Sequence, residues 1–304
     1  MTLKYLCYLL LLAIIWGSSF SFIKVATHDF GSIPLAVIRI FLAAIFLIMV
    51  TLLIGREKTC FKLLISKQHR IHLLFSGLLG QLLPFILYAQ AEQTISASIA
   101  SILNATTPFW TAIIAYVWLK KQASFMQIFG MLLGFIGVAI LITTPVESLN
   151  SSNIISLHYS RVDQILGAML TLFATLCYGY GANYLQTFLH KPHPLDVATN
   201  STIYATIIGI PFAIFFWPES AISRESWQSA LLLGVVCTGL AFILFFNIIS
   251  HMGANFAVSV TFLIPIFGVL WGVVYLNETI NTIMIVSMII ILIGVVLSNF
   301  KQKE

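Results

Sequence analysis

The chain has 304 residues, of which 60% are hydrophobic and 8% charged, with a formal net charge of +5. A soluble domain keeps about a quarter of its residues charged to clothe its exterior, so water is excluded as the main solvent and lipid takes its place. Nucleic acid is excluded as the reason for the positive balance, because the basic residues follow the boundaries of apolar segments instead of forming one patch.

A helix crossing the hydrocarbon core needs about 20 mostly apolar residues. Short polar breaks divide this chain into ten such segments: Tyr5–Ala26, Ile33–Ile54, Ile71–Ala91, Ile95–Leu119, Ser124–Thr143, Gln164–Phe188, Leu195–Trp217, Trp227–Ile249, Gly253–Leu276 and Asn281–Phe300. The expected class is an all-α integral membrane protein with ten transmembrane helices. Strands of a membrane barrel would alternate apolar and polar residues with a period of two, and no such alternation occurs.

The first segment is too long for a secretory signal core and lacks a small-residue cleavage site. Trp16, Gly17, Ser18 and Ser19 interrupt its centre, and Trp16 and Ser19 are candidate solute contacts. Lys24 lies in this segment and Arg39 in the second. Snorkelling toward an interface accounts for both, and an anion-attracting vestibule is the sharper reading.

In the third segment Gln81, Tyr88 and Glu92 share a helical face, as do Ser101, Asn104 and Thr111 in the fourth. Pro108 removes a backbone donor and frees the carbonyl of Asn104, beside Thr107 and Trp110. Such a break either lines a solute site or is a kink satisfied by hydroxyl side chains. Gly130, Gly134 and Gly137 in the fifth segment suit close helix contact, within the chain or in a homodimer.

The polar stretch 144–162 is expected to be an extracytoplasmic linker. The sixth segment offers Tyr178, Tyr180, Asn183 and Tyr184, and the ninth offers Ser259 and Thr261, whose carbonyl Pro265 frees. Trp118, Trp217, Trp227 and Tyr275 sit near helix ends and read as interfacial anchors. Glu92, Glu278 and Asp196 also lie near helix ends, where solvation is the simplest account. Cys7, Cys60, Cys177 and Cys237 have no paired spacing, and no metal or other cofactor is expected.

With the N-terminus in the cytoplasm, the cytoplasmic segments carry Lys4, Arg56, Lys58, Lys62, Lys67, Arg70, Lys120, Lys121, Lys191, Lys301 and Lys303. The opposite loops carry Arg161 and Arg224 alone. The positive-inside rule therefore places both termini in the cytoplasm of a multi-pass protein of the inner, cytoplasmic membrane.

A shift of 157 positions lays Gly77 on Gly234, Phe85 on Phe242, Ala97 on Ala254, Pro108 on Pro265 and Gly137 on Gly294 without a gap. Trp16–Gly17 resembles Tyr178–Gly179, and Pro34–Leu35 resembles Pro194–Leu195, at slightly different offsets. The organisation read from this is a five-helix repeat over 1–143, the linker 144–162 and a second five-helix repeat over 163–304. Five crossings is an odd number, so the halves are inverted, and inverted halves supply the two exchangeable states of alternating access.

The ten-segment pattern, the run Trp16-Gly17-Ser18-Ser19-Phe20, Arg39 early in the second segment and the aligned Pro108 and Pro265 resemble the drug/metabolite transporter superfamily, in particular its EamA-type branch. The resemblance implies an inverted-repeat carrier, often an exporter of amino acids, metabolites or toxic compounds. The expected partners are a small-molecule solute and membrane lipid. An uptake carrier of the same fold is the alternative direction. An intramembrane enzyme is disfavoured: no HExxH motif occurs, and His190-Lys191-Pro192-His193-Pro194 reads as a loop. Facilitated diffusion, exchange and proton antiport are all compatible with these residues.

Overall fold

A computed structural model describes residues 2–143, 160–252, 256–257 and 259–299. All regular structure among them is helical. The first crossings are α1 (Thr2–Phe30) and α2 (Ser32–Leu53), followed by the short α3 (Glu57–Leu64). Then come α4 (Arg70–Ala91), α5 (Ala97–Val117), α6 (Phe125–Thr143), α7 (Arg161–Phe188), α8 (Pro194–Phe215) and α9 (Arg224–Ile249). The chain closes with α10 (Val260–Leu276) and α11 (Thr282–Asn299).

Eight of these helices are long and apolar enough to cross a membrane, and α10 and α11 are shorter apolar helices. Large side chains such as Leu53, Leu132, Ile214 and Phe215 remain exposed on the outside of the bundle, as lipid contact requires. The expected linker lies almost wholly outside the described residues, as does Ala254 of the aligned pairs. Its last residues open α7, where Ser160 and Asp163 form a capping box.

Two of the long helices are wound wide. Residues Leu78–Leu82 of α4 and Leu232–Leu240 of α9 are π-helical, and a shift of 157 positions superimposes the first stretch on the second. In α5 the helix breaks between Asn104 and Thr107, with Pro108 in the first turn of the second piece. The carbonyl that Pro108 leaves without an amide donor is taken by the Thr107 hydroxyl at 2.8 Å. Hydroxyl satisfaction thus accounts for this break.

Helix packing follows a regular scheme. α1 lies along α10, while α7 lies along α5; α2 meets the wide stretch of α9, while α8 meets α4; α6 and α11 pack on each other. Glycines set the closest approaches. A Cβ on Gly17 would lie 2.7 Å from Phe267 Cβ and 2.9 Å from Gly268 N, and one on Gly179 would lie 2.9 Å from Trp110 Cβ and 2.8 Å from Thr111 N. Phe267 and Gly268 stand 157 positions beyond Trp110 and Thr111, so the two contacts are the same contact made twice.

A Cβ on Gly77 would meet Ser201 O and Ala205 N, and one on Gly234 would meet Arg39 O and Ala43 N, which extends the correspondence to α2 and α8. Gly130, Gly134 and Gly294 meet backbone or ring atoms across the α6–α11 contact and in α5. The glycine face read as suitable for helix contact is therefore used inside the chain.

Candidate functional site

The expected site residues divide into groups. Gln81 is buried on the wide turn of α4 and bonded on both sides of its amide: its Nε2 donates to Ser201 Oγ at 3.1 Å, and Thr202 Oγ1 donates to its Oε1 at 3.0 Å. Asn183 donates from Nδ2 to the Thr111 and Gly179 carbonyls, each at 2.9 Å. Both side chains tie helices together. Tyr180 stacks on Trp118 with ring centroids 5.2 Å apart, in an aromatic ladder that includes Tyr184 and Phe188. Trp118, read as an anchor, is thus part of a packed stack.

Nearer the centre, Tyr88 donates to Asn104 Oδ1 at 2.7 Å and stacks on Tyr178 at 6.0 Å, with Phe20 edge-on at 5.6 Å. Trp16 donates its indole N–H to the Cys237 carbonyl at 3.2 Å and leans on Phe245. Ser19 donates to the Trp16 carbonyl. Trp110 rests against Phe135, its indole N–H buried without a partner. Ser259 donates to the Phe256 carbonyl at the start of α10, ahead of Thr261, and Pro265 lies buried inside that helix. Tyr88 and Asn104 are the expected site residues that meet directly across two helices.

Arg39 belongs to this central region. It is 6% exposed, its Nε donates to Thr238 Oγ1 at 2.9 Å, and its guanidinium carbon lies 3.8 Å from the centre of the Phe85 ring. Thr238 spends its own proton on the Leu233 carbonyl, five residues back along the wide turn, so its oxygen accepts from Arg39. A charge at the middle of a membrane helix costs roughly 2.5–3.5 kcal/mol on insertion scales. The ring face and the hydroxyl offset part of that.

Different chemistry clasps the helices at the two ends of the bundle. At the end where α1 finishes, Glu278 accepts from Ala97 N at 2.8 Å, Ser98 N at 3.0 Å and Ser98 Oγ at 2.5 Å. A carboxylate thereby caps the first turn of α5, where the helix dipole favours negative charge. Gly272 packs beside it, because a Cβ there would sit 2.4 Å from Ser98 Oγ. Lys24 donates to the carbonyls of Glu92 and Ile95. Glu92 is 0% exposed and both its carboxylate oxygens lack a hydrogen-bond partner. Helix-end solvation thus fails for Glu92 and Glu278. Lys24 on α1 lies over the turn that follows Glu92, and the start of α5 covers Glu278.

At the opposite end Arg56 grips Asp196 with two bonds, Nε to Oδ1 at 3.2 Å and a terminal nitrogen to Oδ2 at 2.8 Å. Asp196 is buried too. Asn200 donates to the Cys60 carbonyl at 2.9 Å, holding α3 on α8. Burial, with the Asp196 charge adding to it, pushes the Cys60 thiol up to about 11. The thiolate is the reactive species, so Cys60 should resist maleimide at neutral pH. Asp196→Asn, which frees Arg56, should raise that rate by roughly tenfold, measured by mass spectrometry of the alkylated peptide.

The profile of the EamA-like transporter family matches this chain twice, over residues 3–143 and 165–300. The chain belongs to the EamA-like transporter family. Relatives named as transporters run its full length. The uncharacterized transporter YoaV of Bacillus subtilis is 22% identical over 94% of each chain. An uncharacterized transporter of Archaeoglobus fulgidus is 25% identical over 97% of each. A solved crystal structure shares the fold with a TM-score of 0.65 and 15% identity, over 96% of this chain and 95% of that one. This EamA-like chain is therefore a multi-pass membrane transporter.

Proposed function

We propose that this transporter exports small organic metabolites or amino acids by alternating access between two inverted five-helix halves, 1–143 and 163–304, joined by 144–162. The observation that carries the reading is the repeated contact of Gly17 on Phe267–Gly268 and Gly179 on Trp110–Thr111. Each half lends its first helix to the fourth helix of the other, so exchanging the halves' conformations exchanges which end is closed. The clasp at Glu278 and the clasp at Arg56 are then alternating gates. The excess of basic residues at the Arg56 end supports a cytoplasmic location for that end and for both termini.

Tags inserted after Thr143 and at the C-terminus are expected to be protected on opposite sides of the cytoplasmic membrane. Finding both on one side would end the inverted-halves reading. The solute is placed near mid-membrane, between Asn104 on α5 and Thr261 on α10. Replacing both with Val should cut solute exchange in proteoliposomes roughly tenfold or more, the loss of one to two hydrogen bonds, while membrane insertion persists. Unchanged flux would refute the placement.

A further inference from the structure

Arg39 has a counterpart in the other half, and the two are chemically unlike. The Gly234 contact with Arg39 and Ala43 matches the Gly77 contact with Ser201 and Ala205, and Thr238 stands 157 positions after Gln81. The Arg39–Thr238 bond therefore corresponds to the bond between Ser201 and Gln81. In that second place a neutral amide and a hydroxyl hold the helices together with every polar atom of the Gln81 side chain used. Packing at this crossing requires no charge.

The charge in the first place is also incompletely paired. Nε and the ring face account for the contacts of Arg39. Its two terminal nitrogens have no hydrogen-bond partner among the described residues. Ion pairs among the described residues are confined to His28–Asp29 and Arg56–Asp196, so no carboxylate lies against the guanidinium. Glu92 acts on it through space only.

Tyr178 packs against the cluster that holds Phe85, the ring that carries the Arg39 guanidinium, and its hydroxyl has no hydrogen-bond partner among the described residues. The amide nitrogen of Asn104 is in the same condition, its oxygen being occupied by Tyr88. The Arg39 terminal nitrogens, the Tyr178 hydroxyl and the Asn104 amide nitrogen can all donate, while the unfilled acceptors of the neighbourhood are the two carboxylate oxygens of Glu92, which lies nearer Lys24. Aromatic faces of Phe85 and Tyr88 stand beside them.

We infer that Arg39 is the carboxylate receptor of the transporter, holding an organic carboxylate through its two terminal nitrogens with the Tyr178 hydroxyl as an added donor. A guanidinium fork matches two carboxylate oxygens, and the pair is strongest where water is excluded. The solute class is thereby narrowed to carboxylate-bearing compounds with an apolar or aromatic body. This rests on the carrier reading above, with which its test must not be confused.

The test uses the full chain, purified in detergent and in proteoliposomes, with phenylacetate, succinate, L-leucine and L-phenylalanine as probes and their amides as controls. At least one carboxylate should raise the Tm of the wild type while its amide does not. Arg39→Gln should weaken that response about a hundredfold in affinity, Arg39→Lys should weaken it less, and Tyr178→Phe about fivefold. The ligand-free Tm of Arg39→Gln should stay close to wild type, since Gln81 shows that an amide suffices at the matching crossing; a purely structural arginine would lose stability instead. Equal responses to acid and amide, wild-type response in Arg39→Gln, or no response to any carboxylate overturns the inference. Countertransport of the same probes separates the two readings: amide exchange equal to acid exchange leaves a carrier without this receptor, and carboxylate binding without any exchange leaves the receptor without a carrier.

Discussion

Glu278→Ala is expected to open the end of the bundle at which α1 finishes. The carboxylate takes two backbone N–H groups and one hydroxyl at the start of α5, and truncation leaves Ala97 N and Ser98 N buried and unfilled. Each orphaned donor costs about 1–3 kcal/mol, so the closed arrangement should lose roughly 3 kcal/mol. That is about two orders of magnitude in the ratio of closed to open forms. A cysteine placed at Ser96 should then react with a membrane-impermeant maleimide far faster than in the parent. Glu278→Gln retains one acceptor and should fall between the two. Unchanged labelling in both variants would show that Glu278 does not hold this end shut.

The second large effect concerns the helix crossings. A Cβ at Gly77 would sit 2.2 Å from the Ser201 carbonyl oxygen, and one at Gly234 would sit 2.8 Å from the Arg39 carbonyl oxygen and 2.5 Å from Leu42 Cβ. Backbone atoms can yield only if the helices separate. Gly77→Val and Gly234→Val are each expected to cost roughly 3 kcal/mol, at the upper end of overpacking penalties, read as a fall in the denaturation midpoint. Gly80, one turn along α4, is the internal control. A Cβ there meets nothing within 4 Å, so Gly80→Ala should stabilise the helix by up to about 1 kcal/mol. Comparable losses at Gly77 and Gly80 would show that helix propensity, and not close approach, governs α4.

Hydropathy made the long helices legible, since lipid forces each span to be both apolar and of a set length. α1 runs past its apolar core at both ends, reaching from Thr2 to Phe30, and at the far end Thr27 and Asp29 are held by Ala89, Ser223 and Ser226 where propensity is low. Gly77 and Gly234, aligned at a shift of 157 positions, each meet backbone of a neighbouring helix, whereas the aligned prolines act differently: α5 breaks at Pro108 and α10 runs unbroken through Pro265. Side-chain roles were legible only in part. Helical spacing put Gln81 on a face with Tyr88, yet Gln81 turns to Ser201 and Thr202 on α8 because the wide turn between them alters the angular spacing. Glu92 and Glu278 look like ordinary helix-end acids when each is read against its own neighbours. Their burial is imposed by Lys24 on α1 and by the start of α5, which lie 68 to 181 residues away in sequence, and no local pattern reports such distances.

The wide turns in α4 and α9 also carry mechanical slack. Rewinding one surplus residue into an ordinary α-turn would slide the remainder of a helix by about 1.5 Å and swivel it by about 100°. Tyr88 lies beyond the surplus residue in α4, and Phe245 beyond the one in α9. Each helix thus stores one step of screw motion able to swing an aromatic wall.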